Sequence, residues 1–342
     1  MRIDASPIAP QGWDDYVTRH ALATAYHRAE AVNIGARAFR LRTTFLAAYE
    51  GESIVGLLPF VEQSSRLFGR YLVSLPFVTY GGILADAPEI AAALAARAAV
   101  EARARHADHV ELRHTVARPE LGLAERLDKV SMVRKLPESV PALAKQLGAK
   151  LRSQIKRGER EPLELIWGGA ELIPDFYRVF APAMHALGTP VYPRQFFEVV
   201  YDALRESAEI LIVRLRGVPH AVAFLVHHGA TTEVPWAVSS SEAKRGSVNM
   251  RMYWELLTRS MQKGARAFDF GRSTVDSGTY RFKAQWGAEP QQLHWHYWLP
   301  VGAPVPKLNQ SNPKYARAAA LWSRMPLWCA NVIGPRLARH LP

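Results

Sequence analysis

The segment Phe268–Pro290, FDFGRSTVDSGTYRFKAQWGAEP, carries a carboxylate inside an apolar strand and two arginines that follow it. Asp269 at this place can orient a neighbouring cation or accept a proton from a nucleophile, and a structural hydrogen-bonding role is the alternative. Arg272 and Arg281 are candidate phosphate ligands, because guanidinium groups match the geometry of phosphate oxygens. The segment therefore combines a candidate proton acceptor with candidate anion ligands.

A second group of basic residues lies near the middle of the chain. Between Lys145 and Glu161 there are six Lys or Arg residues and two acids. Apolar residues recur every four positions, which predicts one amphipathic connector helix over 138–161; they are Leu143, Leu147, Leu151 and Ile155. Arg152 and Lys156 lie on another face of this helix, where they either bind phosphate or form an ordinary solvated surface.

Metal chemistry is not predicted. The sequence has no HExxH, GxSxG or Walker motif. His227 and His228 are adjacent on a strand and point to opposite faces. His294 and His296 share a face, but the tryptophans of the same strand favour packing or ring contacts over a metal. The single cysteine, Cys329, excludes an intrachain disulfide and a thiolate cluster.

The elements that must position these residues occur twice in the same order. A hairpin, a strand, a helix and a further strand are predicted within 43–112 and again within 210–270. This repetition indicates a duplicated domain. In the first copy, Tyr80, Gly81 and Gly82 either let an acceptor approach the backbone or form an ordinary turn.

The C-terminal motif is similar to the hallmark of FemAB-like transferases, a branch of the GNAT acyltransferase superfamily. The matching residues are Asp269, Gly271, Arg272, Ser273, Tyr280, Phe282, Lys283, Trp286 and Gly287. Other pieces resemble the FemAB-related proteins associated with exosortase and PEP-CTERM systems, namely Trp13, Tyr26-His27, the stretch 67–83, Asn249 and Tyr253-Trp254. The resemblance implies an α/β (α+β) fold with two tandem GNAT-like domains, each a mixed, mostly antiparallel sheet flanked by helices.

The same resemblance implies an acyl or aminoacyl transferase that acts on an amine or hydroxyl of a cell-envelope or exopolysaccharide precursor. Lys283 would stabilise the oxyanion of the tetrahedral intermediate, with Asp269 as the second catalytic residue. Substrate-binding candidates are Arg152, Lys156, Tyr80, Arg272, Ser273, Tyr280, Arg281, Phe282 and Trp286. Two alternatives stay open: an acyl-coenzyme A-dependent N-acetyltransferase on a small amine, and a non-catalytic assembly factor for exopolysaccharide export.

The acyl donor is expected to be acyl-coenzyme A or aminoacyl-tRNA, with no tightly bound cofactor. GNAT enzymes hold the coenzyme A pyrophosphate on an R/Q-x-x-G-x-G/A loop before a helix. The corresponding stretch offers Arg245, Gly246 and Ser247, with Asn249 nearby, and this departs from the pattern. The long paired helices of Fem proteins are not evident either, so neither donor is selected.

The formal net charge of +12 predicts anionic partners. Nucleic acid, a nucleotide-sugar diphosphate, coenzyme A and an acidic membrane all fit this charge, and a basic protein without a polyanionic partner is the remaining alternative. An envelope saccharide or a lipid-linked precursor is the acceptor that the resemblance implies. The oligomeric state is not predicted.

The domain boundaries expected from these patterns are 1–137, the connector helix 138–161, a second domain over 162–302 and a tail over 303–342. The sequence shows no signal-peptide core and no apolar run long enough to span a bilayer, so a cytoplasmic protein is expected. Aromatic and basic residues alternate along 314–342. This tail either packs on the protein or docks peripherally on the anionic inner membrane.

Overall fold

The computed structural model describes residues 1–65, 69–306 and 313–340, with the backbone alone for 313–318. Part of the predicted motif 67–83, and of the tail, thus lies outside the described residues. The strands are β1 (Arg2–Ser6), β2 (Arg42–Glu50), β3 (Ser53–Ser65), β4 (Gly69–Val73), β5 (Leu84–Ala85), β6 (His109–His114), β7 (Ala124–Arg126), β8 (Val130–Lys135), β9 (Leu163–Gly168), β10 (Ala208–Leu215), β11 (Val218–His228), β12 (Thr231–Ser239), β13 (Ala267–Ser273), β14 (Glu289–Gln292) and β15 (His294–Trp298).

The helices are distributed between and after these strands. They are α1 (Trp13–Arg19), α2 (Ala29–Val32), α3 (Ile34–Phe39), α4 (Pro88–Ala104), α5 (Val140–Gln146), α6 (Ala149–Glu159), α7 (Ile173–Ala186), α8 (Arg194–Ala203), α9 (Ser241–Arg245), α10 (Val248–Gln262), α11 (Gly278–Ala284), α12 (Pro313–Arg324) and α13 (Leu327–Ala338). Across the described residues, no helix is both long and apolar enough to cross a bilayer.

The chain forms two compact units. The first unit comprises Met1–Lys129, Gln292–Lys307 and His340–Pro342, and the second unit comprises Val130–Gln291 and Leu308–Arg339. Each unit has one mixed sheet with helices packed on it, so the α/β fold with two GNAT-like domains is confirmed.

The first unit contains an eight-stranded sheet in the order β1-β2-β3-β4-β6-β15-β7, with β5 on β3. Its pairs are antiparallel except for β4 with β6, where α4 makes the crossover that parallel strands require. The buried face of α4 is built largely of alanine, which has the highest helix propensity and lets the helix approach the sheet closely.

The second unit repeats this plan in a seven-stranded sheet with the order β14-β8-β13-β12-β11-β10-β9. The hairpin β10–β11 turns at Arg216-Gly217, β12 follows antiparallel, and β13 is parallel to β12 after the crossover helix α10. The predicted order of hairpin, strand, helix and strand is therefore present in both units.

Equivalent strands are exchanged between the two sheets. Strand β8 follows β7 in the chain but pairs with β13 of the second unit, and β15 follows β14 but pairs with β6 and β7 of the first unit. The expected boundaries at 137 and 302 differ from this division, because hydrogen bonding places 130–135 in the second sheet and 294–298 in the first.

The predicted connector helix over 138–161 is two helices that belong to the second unit. Leu147 and Gly148 adopt extended backbone angles between α5 and α6. The apolar spacing nevertheless holds across the break, since the four predicted core residues are all buried in the second unit. Along this segment the periodicity thus identified the buried face but not the helix boundaries.

The tail packs on the second unit through one face of each helix. Both α12 and α13 contact α7, and Trp322 and Ala330 are buried. Gly334 lies against Val191, where an added Cβ would stand 3.3 Å from the backbone nitrogen and oxygen of that residue. Self-packing therefore accounts for one face of the tail.

Candidate active site

The centre of the second sheet opens where β12 and β13 stop pairing. Within the described residues, these strands pair over Thr231–Glu233 and Ala267–Asp269, whereas β12 stays paired with β11 as far as Ser239. Beyond Asp269 a bulge interrupts the pairing of β13 with β8. Gly271 in this bulge has φ 77°, a left-handed angle that favours glycine.

Asp269 lies at this opening and is 5% exposed. One carboxylate oxygen, Oδ1, accepts a hydrogen bond from the Ser131 hydroxyl at 2.5 Å and another from the Gly271 amide at 2.7 Å. Glu233 is buried opposite Asp269 in the strand register. The site therefore holds two buried acidic side chains beside a backbone bulge.

Lys283 completes the group and is 9% exposed. It lies on α11, which begins at a Ser277 cap whose hydroxyl accepts from the Tyr280 amide. The Lys283 Nζ donates to the carbonyl oxygens of Gly271 at 2.8 Å and Arg272 at 2.9 Å. Lys283 is thus a buried lysine whose ammonium group is held by the backbone.

Burial is the main influence on the protonation of Lys283. Desolvation lowers its pKa from 10.5 to about 8, and the attraction of Asp269 and Glu233 partly offsets this effect. The group remains mostly protonated at neutral pH. An ammonium has three donors, so the two carbonyl contacts leave one N–H that can meet a developing oxyanion.

The remaining motif residues divide into exposed and buried positions. Arg272 and Arg281 are exposed, which suits ligand contact. Tyr280 and Phe282 are half-buried and pack on the core of the second unit. Trp286, also predicted to bind substrate, is fully buried in that core, where its indole packs.

Ser273 ends β13 and is also buried, at 4% exposure. Its hydroxyl oxygen has no hydrogen-bond partner among the described residues. The segment Gly271–Ser273 is part of the bulged strand β13, and the carbonyls of Gly271 and Arg272 face Lys283.

The predicted donor-binding residues lie together at the start of α10. Arg245 is exposed at the end of α9, Gly246 follows it, and Ser247 adopts φ 61° before α10 begins. Asn249 is in the first turn, where helix amides lack intrahelical acceptors. An added Cβ on Gly158 of α6 would lie 2.7 Å from the Ser247 carbonyl oxygen, so α6 packs tightly against this turn.

The other predicted substrate-binding residues make no contact with Lys283 in the described part of the chain. Arg152 is exposed on α6 and donates to the Leu147 carbonyl, and Lys156 is exposed on the same helix. Tyr80 belongs to the first unit and is buried there. Arg152 and Lys156 thus form a basic surface on α6, next to the α10 turn.

Sequence reasoning missed Ser131 and Glu233. Glu233 could have been noticed as an acid between Thr232 and Val234 in an apolar strand, whereas Ser131 carries no signal, since it reaches Asp269 across 138 positions. Within the described residues, no group of three or more His, Cys, Asp or Glu side chains is placed to hold a metal ion.

Comparison with known proteins bears on the fold of the two units. A family model described as an acetyltransferase (GNAT) domain matches residues 145–284, which contain Asp269 and Lys283. No curated protein gives a significant match to the sequence.

Several solved structures share the fold over most of both chains. FemX matches with a TM-score of 0.68 at 15% identity, covering 85% of this chain and 96% of its own. The C-terminal domain (DUF2156) of a putative lysylphosphatidylglycerol synthetase from Agrobacterium fabrum gives 0.57 at 15%, covering 95% of each chain. A tandem GNAT protein from the clavulanic acid biosynthesis pathway gives 0.56 at 13%, covering 89% of this chain and 100% of its own.

These identities are low enough that the matches establish the fold and not the substrate. The chain has the tandem GNAT-like fold, and its second unit contains the segment that matches an acetyltransferase (GNAT) domain.

Proposed function

We propose that this protein is an acyl or aminoacyl transferase whose reaction centre is Lys283 in the second unit. The observation that carries the proposal is the buried Nζ of Lys283, held by two successive carbonyl oxygens at a bulge and still offering one N–H. A buried cation costs stability unless it is compensated, so its retention here fits a role in binding developing negative charge.

In the proposed reaction an acceptor amine or hydroxyl attacks the carbonyl carbon of an activated acyl group. The new C–N or C–O bond forms as the carbonyl oxygen becomes negative, and Lys283 stabilises that oxygen. Collapse of the intermediate breaks the C–S bond of a thioester or the C–O bond of an aminoacyl ester. The proton lost by the acceptor ends on the leaving thiol or hydroxyl, and Asp269 can accept it on the way.

The donor is proposed to be anionic, either acyl-coenzyme A or aminoacyl-tRNA. Arg245 and Lys156 are exposed on the two elements that meet at the α10 turn, and this helix has no acid in its first turn. Positive charge and free helix amides favour phosphate there.

The acceptor is proposed to be an envelope saccharide or a lipid-linked precursor, including one of an exopolysaccharide system. Support comes from the FemAB-like motif and from the named fold neighbours, one of which is a putative lysylphosphatidylglycerol synthetase domain. The resemblance of the N-terminal pieces to exosortase-associated proteins is the support for the exopolysaccharide variant.

A donor screen followed by turnover tests the proposal. Thermal shift would be measured with coenzyme A, acyl-coenzymes A, and charged and uncharged tRNA at two salt concentrations, since a ligand well above its dissociation constant stabilises the fold by a few kcal/mol. Transfer from the donor that binds would then be assayed with Lys283→Met. We expect a loss of about 100-fold or more.

Lys263→Met is the matched control, because Lys263 is an exposed lysine of the same unit that pairs with Glu209. Donor binding without turnover in the wild type would overturn the proposal in favour of a non-catalytic assembly factor. Full turnover in Lys283→Met would show that Lys283 is not the reaction centre.

We also propose that the outer face of the tail docks on an anionic membrane surface, at the cytoplasmic side. Trp328 is 71% exposed and Val332 57% exposed on α13, and Leu321 is 71% exposed on α12. The last acidic residue of the chain is Glu289, while Arg324, Arg336 and Arg339 follow it. Exposed aromatic and aliphatic side chains flanked by arginine match the headgroup region of anionic lipid.

Vesicle sedimentation tests this docking. The wild type should sediment with phosphatidylglycerol vesicles but not with phosphatidylcholine vesicles. The double variant Trp328→Ser with Val332→Ser should not sediment with either. Val218→Ser, an exposed valine on β11, is the control. Equal retention of all variants would contradict the proposal.

A further inference from the structure

Strand β8 carries buried polar side chains on both faces of the second sheet. Ser131 donates to Asp269 on one face. Arg134 lies three residues further along β8, so strand alternation places it on the other face, together with Val130 and Met132. Those two residues belong to the core of the second unit, and Arg134 is 5% exposed. A cation is thus buried at the edge of an apolar core.

No acidic side chain among the described residues offsets the charge of Arg134, and burial alone lowers its pKa from the usual arginine value. Its Nη2 donates at 2.7 Å to the side-chain oxygen of Gln146, and its Nη1 donates to the carbonyl oxygen of Trp286. A buried charge that lacks a counter-charge destabilises a fold. The two hydrogen bonds are therefore where a use for this arginine must lie.

The Trp286 carbonyl belongs to the turn that ends α11. The amides of Trp286 and Ala288 both donate to the Lys283 carbonyl oxygen, at 3.0 Å and 3.4 Å. The Gly287 amide donates to the Ala284 carbonyl oxygen at 2.8 Å. The last two of these bonds, spaced five and three residues apart, are the pair that defines a Schellman motif. The turn thus closes around the backbone of Lys283.

Gly287 fits this turn for two reasons. Its φ of 74° lies in the left-handed region that favours glycine. A Cβ at this position would also collide with the Nη1 atom of Arg134. The Trp-Gly pair at the end of the motif therefore leaves room for the guanidinium to reach the backbone.

The second acceptor, Gln146, is the last residue of α5. Arg134 therefore joins three elements, namely its own strand β8, the end of α5 and the turn after α11. The donors of a guanidinium lie in one rigid plane, so the two contacts fix each other's geometry. Such a connection restrains the end of the helix that carries Lys283.

We propose that Arg134 is a positioning residue for Lys283. It holds the turn after α11 against β8 and α5, and so keeps the Lys283 Nζ at the carbonyl oxygens of Gly271 and Arg272. Strand β8 would then position both members of the site, Asp269 through Ser131 and Lys283 through Arg134. The effect on the reaction rate rests on the proposed function of Lys283, whereas the effect on the place of its ammonium group does not.

An NMR titration tests the positioning without any assay of turnover. Protein carrying ¹³C at the lysine Cε would be titrated from about pH 6 to about pH 11, and the Lys283 signal would be assigned by its absence in Lys283→Met. The wild type should show the pKa of about 8 that burial gives this group. In Arg134→Met the end of α11 should loosen and admit water to Nζ, so we expect the pKa of Lys283 to rise to about 9 or above.

Arg134→Lys would be measured in parallel, because it keeps the buried charge but not the planar fork. The pKa of Lys283 should rise in this variant too, by less. Arg259→Met is the matched control, since Arg259 belongs to the same unit and donates through two nitrogens to Glu209, both at 2.9 Å. It should leave the pKa of Lys283 unchanged. An unchanged pKa in the folded Arg134 variants, or an equal rise in Arg259→Met, would overturn the proposal.

The transfer assay gives a second readout. Misplacement of Nζ should lower kcat by about tenfold or more and change KM for the donor by less than about twofold. The fall of the rate on the alkaline side should move to higher pH together with the pKa of Lys283. A residue that only stabilised the fold would leave this pH profile in place, and that result would contradict the proposal. If the NMR titration gives the expected rise but the wild type shows no turnover, the proposed function fails and the positioning role stands.

Discussion

The two units place a buried acid at the same position of the same strand plan but give it different neighbours. In each unit the parallel strand pair ends at its third residue pair, Val73 with Glu111 in the first and Glu233 with Asp269 in the second. Glu111 is bonded to Arg113 and to the Tyr297 hydroxyl at 2.6 Å. Asp269 instead accepts from a serine and an amide beside Lys283.

The gap after the parallel pair differs in the same way. In the first unit Ser74 closes this gap, since its amide donates to the backbone carbonyl of Glu111 and its hydroxyl accepts from the Arg113 amide. In the second unit the carbonyls of the bulge turn to Lys283. The first unit thus ties its acid into a structural network with Arg113, Ser74 and Tyr297, whereas the second unit holds a lysine beside its acid.

The sharpest test of the structural network is Glu111→Gln. It leaves the buried Arg113 charge without its partner, which should cost about 3–5 kcal/mol of unfolding free energy. The midpoint of urea unfolding measures this. Glu101→Gln, in a more exposed ion pair with Arg97 and Arg105, should cost about 1 kcal/mol or less. Similar losses of unfolding free energy in the two variants would contradict a structural role for the Glu111–Arg113 pair.

Lys283→Met should raise the unfolding free energy, whereas Glu111→Gln should lower it. The fold disfavours the charged form of Lys283, as the lowered pKa shows, and methionine replaces it with an apolar chain of similar length. We expect a gain of about 2 kcal/mol in unfolding free energy at pH 7, together with the loss of turnover. A clear loss of stability would identify Lys283 as a structural residue.

Asp269→Asn should act on turnover more than on stability. The amide oxygen can still accept from Ser131 and Gly271, so the bulge is kept, but the attraction that supports the charge of Lys283 is lost. We expect about a tenfold lower rate in a transfer assay. Asp276→Asn, an exposed position of the same unit, serves as the control and should leave the rate unchanged.

The pH dependence gives the smallest effect. Because the folded pKa of Lys283 is about 8 and the unfolded value is 10.5, the stability gap between Lys283→Met and the wild type should narrow as the pH rises through this window. Turnover should fall over the same range, by about fourfold at pH 8.5. In Asp269→Asn the fall of the rate on the alkaline side should move to lower pH, because the attraction of Asp269 that raises the pKa of Lys283 is lost. A rate profile that is flat from pH 7 to 9 would contradict a charged Lys283.

The repeated plan could be predicted because it rests on local patterns. Turn residues mark the hairpins at Gly51 and Gly217, and apolar spacing marks α4 and α10. The motif predicted that Lys283 is a functional residue. The burial of Lys283 could not be predicted, because α11 is short and the carbonyls that hold the lysine depend on the bulge at Gly271.

What could not be predicted are partners distant in the chain. His114 contacts His296 across 182 positions, and no periodicity specifies such a pair. The strands β8 and β15 are short apolar segments whose composition suits either sheet, so their exchange leaves no local signal. The break at Gly148 did have a signal, a glycine within the apolar repeat.

The exchange of β8 and β15 has a consequence for biosynthesis. During translation β6 is complete at residue 114, but its neighbour β15 begins only at residue 294. Until then the β6 edge offers unpaired backbone groups and can bind other strands. Both units should therefore reach their final structure together and late, and we expect nascent chains that stop short of residue 298 to need a chaperone.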